Sequence, residues 1–163
     1  MKIFVKATPA QKPKSKESQN IAYMYAAILV IFALAQLFTF DKFLILIESF
    51  WMPGGKSAAY LLGSIIVVSE VLALPFLLQI KLSPLMRIIS MVMGWLVPLL
   101  WFIISIWLIF TVNAVSNVGL LGTTVNLLPG WWAVFLSIAL GMLAAWASWG
   151  LWPCVRPKTK KVK

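Results

Sequence analysis

One acidic residue, Glu70, interrupts the apolar run IIVVSEVLALPF at residues 65–76. If this run crosses a membrane, a carboxylate there costs about 3 kcal/mol on insertion scales, so it faces a helix bundle and is paired or protonated. We expect Glu70 to be at least partly protonated, because burial disfavours a charged carboxyl group. Two roles stay open: binding a ligand or a proton, or joining two helices by a hydrogen bond.

Polar side chains at a similar depth on the other apolar runs are candidate partners of Glu70. The acid lies about ten residues, or ~15 Å, from one end of its run. Counting equally along the other runs selects tyrosine, serine and tryptophan, whose O–H and N–H groups donate to a carboxylate. The predicted ligand-binding or proton-handling set is Glu70, Tyr25, Ser90, Trp95, Ser137 and Trp146.

Other residues in the apolar runs predict the shape of the bundle. Pro75 and Pro98 are predicted to kink their helices, freeing backbone carbonyls near residues 71 and 94. A row of small residues predicts close helix packing within the bundle, and leaves a homodimer open. That row is Ser137, Gly141 and Ala145. The deeper tryptophans, which suit either packing or a flat quinone site, are Trp95, Trp101, Trp107 and Trp146.

The composition assigns these runs to a membrane. The chain has 163 residues, of which 62% are hydrophobic, and a mean hydropathy of +0.96. Runs of about 20 apolar residues are long enough to cross a bilayer as helices. We therefore predict an all-α integral membrane protein, a four-transmembrane-helix bundle. Its spans are predicted at about 20–40, 57–80, 84–111 and 129–152, within a domain of residues 20–152.

Two connections between the spans have structure of their own. Residues 40–51 alternate apolar and charged side chains at helical spacing, which predicts a short helix in the outer membrane interface. Residues 112–128 are uncharged, too polar to cross lipid unsupported and too apolar for a free loop, which predicts a lid over the outer end of the bundle or a partly re-entrant segment.

Basic residues set the predicted orientation. The tails at 1–19 and 153–163 each carry five lysines or arginines, and two more lie in the connection between the second and third spans. Only Lys42 and Lys56 fall on the other side. The positive-inside rule places both tails, predicted to be flexible, in the cytoplasm of a prokaryotic cell, next to anionic lipid headgroups of the inner membrane. The net charge of +10 therefore needs no nucleic acid partner.

The residue inventory excludes several chemistries. The chain has no histidine, four acidic residues and a single cysteine, Cys154. It therefore lacks the ligand set of a metal or haem site and cannot exchange a dithiol by itself. We predict that it has no metal or covalent cofactor, and the inventory favours a chain that is not catalytic alone.

Five segments follow one another within residues 20–152: AQLFTFDKF, WMPGG, VVSEVLALPFLL, LSPLMRIISM and LLPGWWA. In this order they resemble the DoxX/MauE group of small four-helix membrane proteins. The resemblance implies a bundle similar to vitamin K epoxide reductase-like proteins, and an association with respiratory quinone or thiol-redox systems.

Three functions are consistent with these observations. The first is a quinone- or lipid-binding subunit of a membrane redox complex, with Glu70 in the bundle. The second is a non-catalytic scaffold or assembly factor for another membrane subunit or a periplasmic partner. The third is a small proton-coupled carrier, for which the spans supply a single acidic residue. An open pocket beside Glu70 would favour the first function, and tight packing of Glu70 against a neighbouring helix would favour the second.

Overall fold

The computed structural model describes residues 13–51, 53–111 and 115–152, and these residues form five α-helices without a β-strand. The helices are α1 (Lys16–Phe38), α2 (Phe40–Glu48), α3 (Gly55–Leu77), α4 (Pro84–Thr111) and α5 (Trp131–Leu151). All but α2 are long and apolar enough to cross a membrane. The predicted class, an all-α four-helix membrane bundle with one short extra helix, is confirmed. The predicted tails at 1–12 and 153–163 lie outside the described residues.

The four long helices form a ring in which α1 packs on α3, α3 on α4, α4 on α5 and α5 on α1. Contacts between the start of one span and the end of the next show that successive spans are antiparallel, so the ring has two ends. We call the end with α2 and the connection before α5 the lid end. The other, where α1 begins and α5 finishes, is the tail end.

The first helix begins earlier than predicted. Its span was expected from residue 20, but α1 starts at Lys16 because Ser15 is a good N-cap. The Ser15 side chain accepts a hydrogen bond from the backbone N–H of Ser18 at 3.1 Å. Such a bond satisfies a donor that has no partner within the helix. The predicted flexible tail of residues 1–19 is therefore too long.

The residues before α1 are also held against α5. The backbone N–H of Lys14 donates to the Gly150 carbonyl at 3.0 Å. Its ammonium group lies 4.4 Å from the centre of the Trp149 ring, a cation–π contact. The tail end thus closes with α1 and α5 in contact.

The short helix α2 lies across the lid end and packs on α3. Phe43 and Ile47, one turn apart on α2, are fully buried. They approach Gly63 of α3, where a Cβ would lie 3.6 Å from the Phe43 ring and 2.8 Å from Leu44. The absence of a side chain at Gly63 therefore allows the two helices to touch.

The connection 115–128 forms a compact segment, which we call the lid. Asn117 organises it: its Oδ1 accepts from the N–H of Gly119 at 2.9 Å, and its Nδ2 donates to the Gly122 carbonyl at 3.0 Å. Val118 and Leu120 are buried beneath it. These contacts hold the irregular backbone of the lid in a compact form.

The lid rests on the end of α1. Gly122 has φ +59°, and a Cβ there would lie 2.7 Å from the Ala35 carbonyl oxygen. The Thr123 hydroxyl pairs with the Thr39 hydroxyl at 2.8 Å. The lid is therefore fixed to α1 by a close backbone approach and a side-chain hydrogen bond.

Candidate functional site

Glu70 lies on the buried face of α3 and is fully inaccessible to solvent. Ile66, Val67 and Ala73 share this face, at the three- and four-residue spacing of one side of a helix. The expected inward orientation of the acid is confirmed.

Two donors from neighbouring helices converge on one oxygen of Glu70. The Gln36 Nε2 of α1 donates to Oε1 at 3.1 Å, and the Trp101 Nε1 of α4 donates to the same atom at 3.4 Å. Both donor side chains are fully buried. The Gln36 bond is the stronger of the two, since hydrogen bonds weaken beyond about 3.2 Å. The acid therefore joins three helices at one point.

The Gln36 amide extends this contact to the lid. Its Nε2 also donates to the backbone carbonyl of Leu120 at 3.1 Å. The Glu70 oxygen and the Leu120 carbonyl both accept from Gln36 Nε2, so both hydrogens of this nitrogen are used. The orientation of the amide is therefore determined, because its oxygen could not donate to them. Glu70, Gln36, Trp101 and Leu120 form one hydrogen-bonded unit, which we call the lock.

Two oxygens of the lock have no partner among the described residues. They are Glu70 Oε2 and Gln36 Oε1, both buried. Within the described residues, each is a buried acceptor left without a donor, which carries a desolvation cost. The hydroxyl of Ser105, one turn after Trp101 on α4, is likewise buried without a partner in the described part of the chain.

The Tyr25 hydroxyl does not donate to Glu70 as predicted, although it lies within electrostatic range of the carboxyl group. It donates instead to the Gly94 carbonyl at 2.6 Å. Pro98 has no N–H to offer this carbonyl, which would otherwise accept from residue 98 within the helix. Tyr25 therefore pairs with a carbonyl near residue 94 that was predicted to be free, and it links α1 to α4.

Ser90 has the corresponding role beside Pro75. Its hydroxyl lies 2.6 Å from the Leu72 carbonyl, and it accepts from the Phe76 N–H at 3.0 Å. A side chain inserted into the helical hydrogen-bond ladder is a known cause of helix bending. Ser90 stabilises the interrupted ladder of α3, and its predicted pairing with Glu70 is wrong.

None of the remaining predicted partners donates to Glu70, whose donors among the described residues are Gln36 and Trp101. Trp95 and Trp146 are 43% and 51% exposed on the outside of the bundle, and the Trp95 indole donates to the Ser148 hydroxyl at 3.0 Å. The Ser137 hydroxyl donates to the Ala133 carbonyl of its own helix at 2.8 Å.

The structure does bring four predicted residues together on the surface between α4 and α5. A groove of about 180 Å³ there is lined by Trp95, Pro98, Ser137 and Gly141, among others.

The small residues of α5 pack in a different row from the one predicted. The buried positions of α5 are Ala133, Val134, Ser137, Leu140, Ala144, Ala147, Gly150 and Leu151, of which only Ser137 belongs to the predicted row. Gly141 and Ala145 are only half-buried, and a Cβ at Gly141 would lie 4.0 Å from Pro98. The closest approach is instead made by Gly150, where a Cβ would collide with Ser18 of α1.

The depth estimate missed the true partners because the ends of the helices do not lie at the same level along the bundle. Gln36 lies about 20 residues into α1, or ~30 Å from its tail end, whereas Glu70 lies about seven residues, or ~10 Å, from the end of α3. A signal for Gln36 was present, since an amide inside an apolar span needs a partner. Trp101 carried no comparable signal.

Among the described residues, Glu70 belongs neither to a cluster of metal-ligating side chains nor to the lining of the five cavities. No group of three histidine, cysteine or acidic side chains comes together in the described ranges. Five cavities in that part of the chain have volumes from about 10 to about 550 Å³, and Glu70 lines none of these five.

No family model, curated protein or solved structure matches this chain.

Proposed function

We propose that this chain is a non-catalytic scaffold or assembly subunit of the DoxX-like kind, which holds another membrane or periplasmic redox subunit. The observation that supports this function is the lock. Glu70 is fully buried and hydrogen-bonded to two neighbouring helices, which is the arrangement of a residue that joins helices. The chemistry of the site then serves to fix the lid in place.

The distribution of charge supports a prokaryotic inner membrane with the lid end outside. Both basic tails and the Lys81–Arg87 connection belong to the tail end, and only Lys42 and Lys56 belong to the lid end. Positive residues accumulate on the cytoplasmic side of membrane proteins. In this orientation the lid faces the periplasm.

The lid presents a mixed polar and apolar surface that suits a protein partner. Thr124, Val125, Asn126 and Leu128 are exposed there, and none is charged. Interface centres are depleted in charged residues relative to the remaining surface. The lock holds this surface in one conformation, which lowers the entropic cost of binding.

Site-specific photo-crosslinking in native membranes tests the scaffold proposal. A photoreactive amino acid at Val125 or Asn126 should give a protease-sensitive adduct of discrete mass, identified by mass spectrometry as a single partner. The matched control positions are Phe135 and Met142, which are exposed on the side of α5. These should give lipid adducts only. Lipid adducts alone at all four positions would contradict the proposal.

The second candidate function, quinone or lipid binding, has support from the groove between α4 and α5. Its wall carries Trp95, Phe102 and Ile138 within the apolar spans, and its floor is Gly141. A second groove of about 360 Å³ shares Phe102 and continues along α4 to Phe110. Together they form an aromatic surface suited to a quinone ring and its isoprenoid chain.

Mass spectrometry of co-purified quinones and lipids tests this second function. The Gly141→Leu variant fills the groove and should lose any quinone that the wild type retains. The Met142→Leu variant is the matched control, because Met142 does not line the groove. Absence of quinone from the wild type would remove this function.

A further inference from the structure

A groove of about 550 Å³ lies at the lid end, between the end of α2 and the start of α3. We call it the α2–α3 groove. This volume is within the range of ligand pockets, and the groove is the largest of the five cavities described. Its lining residues are Ile45, Glu48, Ser49, Trp51, Gly55, Lys56 and Ala59.

The turn between the two helices places an indole at this groove. Phe50 points into the core, and its carbonyl accepts from the Trp107 indole at 2.9 Å. The next residue, Trp51, is 81% exposed and has φ +53°. A bulky residue rarely adopts this left-handed conformation, and such strain concentrates at binding sites.

The groove also carries one charge of each sign. Glu48 is the last residue of α2, and Lys56 lies in the first turn of α3. The Lys56 ammonium lies 5.3 Å from the centre of the Tyr60 ring. Ile45 and Ala59 supply apolar walls between the charged groups and the long spans.

We propose that the α2–α3 groove binds the headgroup of a zwitterionic aminophospholipid, in which an ammonium and a phosphate are joined by a short linker. The Glu48 carboxylate binds the ammonium and the Trp51 ring gives it a cation–π surface, while Lys56 binds the phosphate. The acyl chains leave along Ile45 and Ala59 into the membrane.

Charge complementarity selects this headgroup over others. An anionic lipid without an ammonium would meet the Glu48 carboxylate with no compensating contact, and a cationic ligand would meet Lys56 in the same way. A zwitterion can place its ammonium next to Glu48 and its phosphate next to Lys56. An interfacial indole is also the side chain that prefers the headgroup level of a bilayer.

Native mass spectrometry of the full-length protein tests this inference. Detergent-purified protein is titrated with palmitoyl-oleoyl phosphatidylethanolamine, and with the matching diacylglycerol as a lipid without the headgroup. We expect Glu48→Gln and Lys56→Gln each to weaken phosphatidylethanolamine binding about fivefold, the size of one interfacial ion pair. Diacylglycerol binding should be the same in all variants.

Matched controls come from the other end of α2. Asp41→Asn and Lys42→Gln remove the same two charges from exposed positions outside the groove, and should bind phosphatidylethanolamine as the wild type does. Equal binding by the wild type and both groove variants would overturn the inference. So would equally tight binding of free phosphoethanolamine, which would assign the groove to a water-soluble ligand.

Discussion

The Glu70 carboxyl group uses one oxygen for two donors and leaves the other without any. The Oε1 atom accepts from Gln36 and Trp101, while Oε2 and the Gln36 Oε1 are both buried acceptors lacking a donor within the described residues. A buried polar atom without a partner is costly. A neutral group at the Oε2 position avoids burying a charge there, and both a protonated carboxyl and an amide are neutral.

Glu70→Gln is predicted to be neutral or stabilising for this reason. The new amide keeps an acceptor for Gln36 and Trp101 and adds N–H donors where Oε2 was. Glu70→Ala is predicted to destabilise the fold by about 2–4 kcal/mol, because it leaves a cavity and breaks two buried hydrogen bonds. Thermal unfolding in detergent measures both.

The same pair of variants distinguishes a lock from a proton-handling site. If the chain is a scaffold, the Glu70→Gln variant is expected to crosslink to the partner as efficiently as the wild type does. Loss of crosslinking in a stable Glu70→Gln protein would show that the proton of Glu70 is needed for function, and would contradict the scaffold proposal.

Helix packing at the tail end depends on one glycine. Gly150 of α5 faces Ser18 of α1, and an added Cβ would collide with the Ser18 side chain. Ser18 cannot easily move away, because its N–H and hydroxyl are both tied to Ser15. The α1–α5 contact therefore has no room for a methyl group.

Gly150→Ala is predicted to destabilise the protein by about 1–3 kcal/mol through overpacking. Gly141→Ala is the matched control on the same helix, since its Cβ would meet Pro98 at an ordinary 4.0 Å. The control should be neutral or gain up to about 1 kcal/mol from helix propensity. Equal unfolding temperatures for the two variants would contradict the close α1–α5 contact.

The lid depends on Gly122 in a comparable way. Gly122→Ala is predicted to release the lid, because a Cβ would press on the Ala35 carbonyl and the residue has φ +59°. Hydrogen exchange in residues 117–124 should rise. Gly55→Ala has a similar φ of +67° but open space around it, so it shows the effect of backbone strain alone. Unchanged lid exchange in Gly122→Ala would contradict this packing.

At the scale of the whole molecule, four spans return the chain to the side where it began. The tail end gathers the start of α1, the end of α5 and the connection from α3 to α4, while α2 and the lid cover the opposite end. The positive-inside rule predicts that the tail end, which has most of the lysines and arginines, faces the cytoplasm.

Cysteine labelling tests the orientation. Cys154 follows α5 and lies outside the described residues, so its sequence position alone predicts a cytoplasmic thiol. A membrane-impermeant maleimide should leave it unlabelled in intact spheroplasts and label it after permeabilisation. In a Cys154→Ser background, Lys42→Cys should react without permeabilisation. Labelling of Cys154 in intact spheroplasts would reverse the orientation.

The sequence by itself determined the membrane class, the four spans and the short helix. These features depend on hydropathy, length and turn residues, which are local properties of the chain. It also singled out Glu70 as buried, because an acid in an apolar span has to turn inward. The start of α1 at Lys16 was missed, although Ser15 is itself a local signal.

Only the tertiary structure decided which side chains meet. Tyr25 and Ser90 were assigned to Glu70, yet they pair with the backbone near Pro98 and Pro75, while Gln36 and Trp101 contact the acid. Contacts between helices depend on their relative rotation and stagger. These are set by packing across the whole bundle, such as α2 and the lid occupying the space beyond the end of α1, and no single segment encodes them.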